Sequence, residues 1–193
     1  MSDFLFLSLV VEALWFILPA YMANSIASDV AHIRFFEKFS YPLDFGLSWR
    51  SVRIFGPNKT WRGLFSGVAA ALATGFFQQK FYLQSSVFLS DYLHLNSSLH
   101  LPEMSLLLAF LLGFGAMAGD AIKSFFKRRM GIESGRPAPL LDQLDYIFGA
   151  FFCAWLVSPI NLEYFAVVVI ITVPLHLVAN FVAWLLKLKK VPW

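Results

Sequence analysis

The sequence predicts an all-α integral membrane protein with about five transmembrane helices. Hydrophobic residues make up 59% of the chain and charged residues only 14%, whereas a soluble domain carries about 25% charged residues. The apolar residues are also gathered into long runs, and a helix of about 20 mainly apolar residues crosses a bilayer. The runs occupy most of the 193 residues, so we expect a single transmembrane domain, residues 1–193.

The first two predicted spans are residues 4–26 and 61–83. The first is apolar almost throughout, and a signal peptide is the alternative interpretation. Signal peptides begin with basic residues, and the leading Met-Ser-Asp contains none, which favours a span. The second contains the small-residue stretch GVAAALATG, which allows helices to pack closely in a membrane.

Three further spans are predicted at residues 104–122, 144–157 and 164–188. The fourth is short but fully apolar. Pro174 interrupts the fifth, where we expect a kink whose freed carbonyl is satisfied by neighbouring helices. Residues 84–103, between the second and third spans, are polar and predict an external loop.

Fourteen of the 15 Lys and Arg residues lie on one predicted side of the membrane. They are gathered in residues 34–62, 123–136 and 187–190, and only Lys80 lies near the other side. Basic loops face the cytoplasm, so we predict a cell-membrane protein with its N-terminus outside and its C-terminus in the cytoplasm. The chain has no basic soluble domain, so we expect no nucleic-acid partner.

The most informative charges lie between Gly119 and Asp145. Five polar residues there follow the spacing i, i+3, i+4, i+7 and i+8, which places them on one face of a helix: Asp120, Lys123, Ser124, Lys127 and Arg128. Asp142 and Asp145 open the next apolar run. Dense charge at a membrane boundary indicates a functional site, and acids beside cations indicate a metal ion that holds phosphates. As an alternative, the last two aspartates only favour a helix N-terminus.

A second polar cluster, GPNKTWRG at residues 56–63, directly precedes the second span. Lys59, Thr60 and Arg62 offer two cations and a hydroxyl for phosphate binding, and the glycines allow close approach of a ligand. The cluster is not a P-loop, because it lacks the G-x-x-x-x-G-K pattern and a preceding strand. The alternative is a basic membrane anchor with Trp61 at the interface.

Five blocks of the sequence resemble the CDP-archaeol synthase family, a short relative of the phosphatidate cytidylyltransferases. The blocks cover nearly the whole chain: LPAYMANS (18–25), YPLDFG (41–46), RIFGPNKTWRG (53–63), GDAIKSFFKRRMGI (119–132) and LLDQLDYIFGA (140–150). The last two are also similar to the cytidylyltransferase signature, in which S-x-x-K-R precedes a pair of aspartates. The K-D and H-G-G of the longer relatives are absent here, which favours the short archaeal type.

The resemblance implies that CTP and a lipid phosphate react to give a CDP-lipid and pyrophosphate. The expected lipid is digeranylgeranylglycerol phosphate, with a diacyl phosphate as the alternative, and the site is expected to face the cytoplasm. Mg²⁺ takes one or two carboxylates plus substrate phosphates. The expected metal ligands are Asp120, Asp142 and Asp145, which with Lys127 form the expected catalytic set. Residues expected to bind CTP or lipid phosphate are Asn24, Lys59, Thr60, Arg62, Lys123, Ser124 and Arg128. Membrane lipids are expected partners, and the resemblance is compatible with a homodimer.

Two other classes remain open at the level of sequence. CDP-alcohol phosphotransferases share a D-x-x-D ending, but the upstream D-G-x-x-A-R that they require is absent here. They release CMP rather than pyrophosphate, so an assay separates the two. A small transporter or structural membrane protein would place its ionisable residues near the bilayer midplane or in repeated halves. Binding of CTP in the presence of Mg²⁺, followed by thermal shift, distinguishes that class.

Overall fold

The computed structural model describes residues 2–30, 38, 40–95, 99–134, 136, 138, 141–159 and 161–185. Within these ranges the chain forms a helical bundle with one small hairpin. In chain order the elements are α1 (Ser2–Val30), β1 (Ser48–Trp49), β2 (Val52–Arg53), α2 (Trp61–Lys80), α3 (Tyr82–Tyr92), α4 (Leu106–Arg129), α5 (Leu141–Ala154) and α6 (Leu162–Leu185). Arg34 and the three lysines of residues 187–190 lie outside the described residues.

The core of the bundle is built on α1, which packs against α2, α4 and α6. Its buried face carries small and branched side chains, and Ala13, Ile17 and Ala20 are fully buried there. Small residues let helix backbones approach closely, which is how helices associate in membranes. α1 therefore supplies a large part of the core.

Two of the described helices are long and apolar enough to cross a bilayer by length and composition. They are Phe4–Val30 and Leu106–Arg129, and α6 contains a shorter apolar stretch, Leu162–Leu175. The predicted spans correspond to α1, α2, α4, α5 and α6, with ends that differ by up to several residues. α4 continues past the predicted end at residue 122 to Arg129, because hydropathy marks where apolar residues stop and not where a helix stops.

Two local elements were missed by the sequence prediction. The first part of the segment predicted as a polar external loop, residues 84–92, belongs to α3, which follows a turn at Phe81. The Gln, Ser and Asp residues of α3 lower its hydropathy, but α3 contains no Gly or Pro that would break a helix. The all-α prediction also omitted the antiparallel pair β1–β2. Its turn uses positive φ angles at Arg50 and Ser51, where Asn-Gly is the usual signal.

Glycines decide how α4 and α5 pack. A Cβ atom added to Gly149 of α5 would overlap the carbonyl oxygen of Gly115 on α4. A Cβ atom added to Gly119 would overlap the carbonyl oxygen of Asp145. Only glycine allows the two backbones to lie this close, and no other pair of the described helices is in such extensive contact. The contact places the charged end of α4 directly beside the first turns of α5.

Candidate functional site

Three aspartates surround the ammonium group of Lys123. Its Nζ atom lies 2.8 Å from Asp120 Oδ1, 3.1 Å from Asp142 Oδ1 and 2.8 Å from Asp145 Oδ2. Asp120 and Lys123 are one turn apart on α4, whereas the other two carboxylates come from α5. The sequence pattern that predicted one polar helix face is therefore present, and the close packing of α4 on α5 adds the acids of the second helix.

Lys127 lies one turn further along α4 and is also bound to α5. Its side chain is only 7% exposed. Its Nζ atom donates to both carboxylate oxygens of Asp142, at 3.0 and 3.1 Å, and to the carbonyl oxygen of Arg136 at 2.6 Å. Asp142 also accepts a hydrogen bond of 2.6 Å from the backbone N–H of Ala138, just before α5. Asp142 thus holds the start of α5 while it neutralises a buried lysine.

The GPNKTWRG loop reaches the same cluster from the other side. The ammonium of Lys59 forms an ion pair with Asp120, so both charged clusters of the sequence belong to one site. Gly56, in the same loop, lies against α4, and a Cβ atom at this position would sit 3.6 Å from Arg128 Nε and 3.6 Å from Ser134 Oγ. Its φ of +98° is a conformation that favours glycine.

A polar cavity of about 200 Å³ lies where the loop, α4 and α5 meet. It is lined by Phe55, Asn58, Lys59, Lys123, Ser124, Lys127, Arg128, Ser134, Arg136 and Asp142. Five of these ten side chains are cations, so the cavity suits an anion with several phosphate groups. Ser124 Oγ donates to the carbonyl oxygen of Asp120 at 2.9 Å.

A second, apolar cavity of about 650 Å³ lies between α4, α5 and α6. Its walls are mainly aromatic and aliphatic, with Phe126, Phe148, Phe152 and Leu162 among them. Lys123 and Asp145 are its only charged lining residues within the part of the chain that the structure describes. Lys123 also lines the polar cavity. Its side chain therefore borders both the polar cavity, which suits phosphates, and the apolar cavity, which suits hydrocarbon chains.

Asp120, predicted as a metal ligand, pairs with Lys59 and Lys123 but lines neither cavity. Three of the residues predicted to bind substrate also line neither cavity. Thr60 caps α2, and its Oγ1 accepts a hydrogen bond of 3.2 Å from Gly63 N. Arg62 lies in the first turn of α2. Asn24 is half-buried on α1. Their predicted role in substrate binding stays a prediction, and the helix cap gives Thr60 a separate, local function.

Several residues of the site were not predicted from the sequence. Asn58, Ser134 and Arg136 line the polar cavity, and Asp44 is a buried carboxylate in the neighbouring loop. Burial raises the pKa of Asp44, but hydrogen bonds from Arg53 and from the backbone of Gly56, Phe55 and Gly46 outweigh it and lower the pKa from 3.8 to about 2. Asp44 and Asn58 lie in two of the five blocks that resemble the family, at residues 41–46 and 53–63. That position was the signal from which the sequence could have predicted them as site residues.

The three aspartates were also predicted to hold a metal ion. Among the described residues, no three His, Cys, Asp or Glu side chains are grouped so as to hold one, because Lys123 lies between the carboxylates. Asp145 nevertheless has a buried oxygen, Oδ1, without any hydrogen-bonding partner in the described part of the chain. Mg²⁺ takes one or two carboxylates and fills its other positions with water and phosphate oxygens, so Asp145 is a residue that could hold this ion.

Comparisons with known proteins agree with the residue pattern. The sequence profile of a family described as CarS-like CDP-archaeol synthase matches residues 6–193. A protein named CDP-archaeol synthase from Methanocaldococcus jannaschii is 36% identical over 192 residues, which is 98% of this chain and 100% of the relative. A protein of the same name from Thermococcus onnurineus is 38% identical and covers 97% of this chain and 99% of its own.

A solved structure also resembles this fold. It is described as an intramembrane enzyme for archaeal membrane lipid biosynthesis, and it is 33% identical in sequence. The two structures superpose with a TM-score of 0.65 over 89% of this chain and 94% of the other. The resemblance seen in the five sequence blocks is thereby confirmed.

Proposed function

This chain belongs to the CDP-archaeol synthase family, and on that premise we propose that it transfers the cytidylyl group of CTP to a lipid phosphate. The products are a CDP-lipid and pyrophosphate. One observation carries the proposal: Lys123 lines both the cation-rich polar cavity and the apolar cavity. A water-soluble nucleotide and a lipid must meet at such a boundary for their phosphates to react.

The reaction is an in-line displacement at phosphorus. An oxygen of the lipid phosphate attacks the α-phosphorus of CTP, a new P–O bond forms, and the bond to the β-phosphate breaks to release pyrophosphate. A phosphate monoester is largely doubly ionised at neutral pH, since its second pKa is about 6. No strong general base is needed, so the task of the protein is to position the two substrates and to offset their negative charge.

The cations of the polar cavity perform that task. In this proposal Lys59, Lys127 and Arg128 contact phosphate oxygens of CTP, and Lys123 contacts the lipid phosphate. The presence of the first three in the lining of the polar cavity, and of Lys123 in the lining of both cavities, supports these roles. Both Lys59 and Lys127 are held by carboxylates before substrate arrives. Because their side chains are already ordered, less conformational entropy is lost when they bind phosphate.

We propose Mg²⁺ as the cofactor, with Asp120 and Asp145 as its protein ligands. Asp145 supplies a buried oxygen that accepts no hydrogen bond from the described residues, and Asp120 lies across Lys123 from it. When bound, Mg²⁺ offsets negative charge on phosphate oxygens and orients them for the displacement. Asp142 is bound to Lys127 and to the start of α5, so we assign it the role of positioning that lysine.

The lipid is proposed to be digeranylgeranylglycerol phosphate, the archaeal diether. The family name and the relatives of archaeal origin support this choice. The aromatic and aliphatic lining of the apolar cavity suits the first part of an isoprenoid chain but would also take an acyl chain, so the cavity does not by itself select the diether.

The proposed function is tested by the mass of the product. Purified protein receives CTP, Mg²⁺ and equal amounts of digeranylgeranylglycerol phosphate and diacylglycerol phosphate. We expect pyrophosphate and the CDP-diether, with the CDP-diacyl lipid at a much lower level. Preferential formation of the CDP-diacyl lipid would reverse the proposed lipid choice. Formation of neither product, or release of CMP from a supplied CDP-lipid, would refute the cytidylyltransferase assignment.

Light scattering of the same protein in detergent tests for a homodimer.

We further propose five spans, with the site at the cytoplasmic face where CTP is found. The asymmetry of the basic residues supports this orientation. Single cysteines are placed at Ser51 and Ser134 in a Cys153→Ala background. They should react with an impermeant thiol reagent only after the membrane is permeabilised, which gives the reagent access to the cytoplasmic face. One at Ser97, outside the described residues, should react in intact cells. The opposite pattern would refute the orientation.

A further inference from the structure

Asp44 is a buried carboxylate outside both cavities. The residue is 3% exposed, and its two oxygens accept four hydrogen bonds. Oδ1 accepts from the Arg53 guanidinium and from Gly46 N, the latter at 3.0 Å. Oδ2 accepts from Phe55 N and Gly56 N, each at 3.0 Å. Burying a carboxylate is costly unless its oxygens are satisfied in this way, so the loop is built around this side chain.

The hydrogen bonds of Asp44 lead towards the site through Gly56. They fix the backbone of Phe55 and Gly56, and Phe55 itself lines the polar cavity. Gly56 lies close enough to Arg128 and Ser134 that an added Cβ would be in van der Waals contact with both. Asp44 therefore holds the part of the loop that forms one wall of the cavity.

The residues that precede Asp44 hold the other end of the same loop. Leu43 N donates to the carbonyl oxygen of Lys59 at 2.8 Å, and Trp61 N donates to the carbonyl oxygen of Tyr41 at 3.0 Å. The backbone on the N-terminal side of Lys59 is held by the hydrogen bond from Gly56 N to Asp44. Lys59 itself and the residues after it are held by the backbone hydrogen bonds to Leu43 and Tyr41. The side chain of Lys59 can then extend from an ordered backbone to its ion pair with Asp120.

We propose that Asp44 is a positioning residue, which holds the loop of residues 41–60 so that Lys59 is presented to the triphosphate of CTP. The inference rests on the proposed function, because it concerns how that site binds its nucleotide. Direct contact between Asp44 and the substrates is excluded, because it is buried away from both cavities and both carboxylate oxygens are occupied by hydrogen bonds. Its effect must therefore pass through the loop.

The test is a kinetic comparison of Asp44→Asn, Lys59→Ala and the double variant. An amide keeps the shape of the carboxylate but loses its charge and one acceptor. We expect Asp44→Asn to raise the KM for CTP about 10-fold, while kcat and the KM for the lipid phosphate change less than about 2-fold. We expect the double variant to match Lys59→Ala, because a residue that acts through Lys59 adds nothing once Lys59 is gone.

Asp91→Asn is the matched control, since Asp91 is an exposed carboxylate on α3, away from the loop, and it should leave the KM for CTP unchanged. If Asp44→Asn does not fold, Arg53→Gln replaces it. That change removes the ion pair between Arg53 and Asp44 but leaves the backbone hydrogen bonds to the Asp44 carboxylate. We expect the KM for CTP to rise several-fold. The proposal is overturned if the KM for CTP stays within 2-fold, if kcat and both KM values worsen together, or if the effects of Asp44→Asn and Lys59→Ala multiply. An inactive wild-type protein would instead refute the proposed function.

Discussion

Lys59 and Asp120 form an ion pair across 61 residues of sequence. Lys59 comes from a loop that precedes α2, and Asp120 comes from the middle of α4. Asp120 also accepts a hydrogen bond of 2.8 Å from Lys123, so the loop is connected to the acids of α5 through two charged side chains. This pair converts two separate polar clusters of the sequence into one site.

Replacing Lys59 with Ala should reduce CTP-dependent turnover about 10-fold or more. A charge-assisted contact contributes roughly 1.5–3 kcal/mol, and the loop supplies Lys59 directly to the polar cavity. Lys127→Ala should have an effect of at least this size, because it also leaves the carboxylate of Asp142 without its buried partner. The measurement is kcat/KM for CTP at saturating lipid phosphate.

Lys80→Ala is the control for both lysine variants. Lys80 is an exposed cation at the other end of α2, where it lies near the rings of Phe76 and Phe81, and its removal should leave turnover almost unchanged. If Lys59→Ala and Lys80→Ala behave alike, the GPNKTWRG loop is only a membrane anchor and the site is formed by α4 and α5.

Asp142→Asn and Asp145→Asn should each remove nearly all turnover while the protein still inserts into the membrane. The first change frees Lys127, and the second removes the buried acceptor proposed to bind Mg²⁺. Neither alters the apolar surface of the helices. Activity is measured as pyrophosphate release, with membrane insertion followed by fractionation. If both variants keep more than about a third of wild-type turnover, the assignment is wrong, because such a loss is under about 1 kcal/mol in the barrier.

Gly149→Ala should destabilise the protein by roughly 1–3 kcal/mol, the usual cost of overpacking. The added methyl group would meet the backbone of α4 at Gly115 and Gly119, and backbone cannot move aside as a flexible side chain can. Phe152→Leu, on the exposed side of α5, is the control and should change the melting temperature little. Equal melting temperatures for wild type and Gly149→Ala would show that the close contact is not needed.

Asp44 should make stability depend on pH in the acid range. Its pKa is lowered in the folded protein from 3.8 to about 2, so the unfolded chain binds the proton first. Its contribution is therefore complete above about pH 4 and is lost as the pH falls towards about 2. The melting temperatures of wild type and Asp44→Asn should differ at pH 6, and the difference should shrink below about pH 4 and close only as the pH falls to about 2. A constant difference over this range would contradict the ionised state of Asp44.

Much of the architecture follows from local sequence patterns. The apolar runs correspond to five of the six described helices, and the spacing from Asp120 to Arg128 correctly places those residues along one helix. The hairpin could not be predicted in this way, because its turn at Arg50 and Ser51 lacks the Asn-Gly signal. Helix α3 was missed because hydropathy detects spans and not short polar helices.

The sequence by itself determined the helical class and the residue types of the site, because composition and helical periodicity are properties of neighbouring residues. Its five motif blocks also carried the resemblance to the family. Only the tertiary structure decided which charges meet. Lys123 among three carboxylates depends on the close contact of α4 with Gly149, and Lys59 beside Asp120 depends on a loop held by Asp44. These are contacts between distant segments, and their geometry is set by backbone packing and by hydrogen bonds that no local pattern encodes.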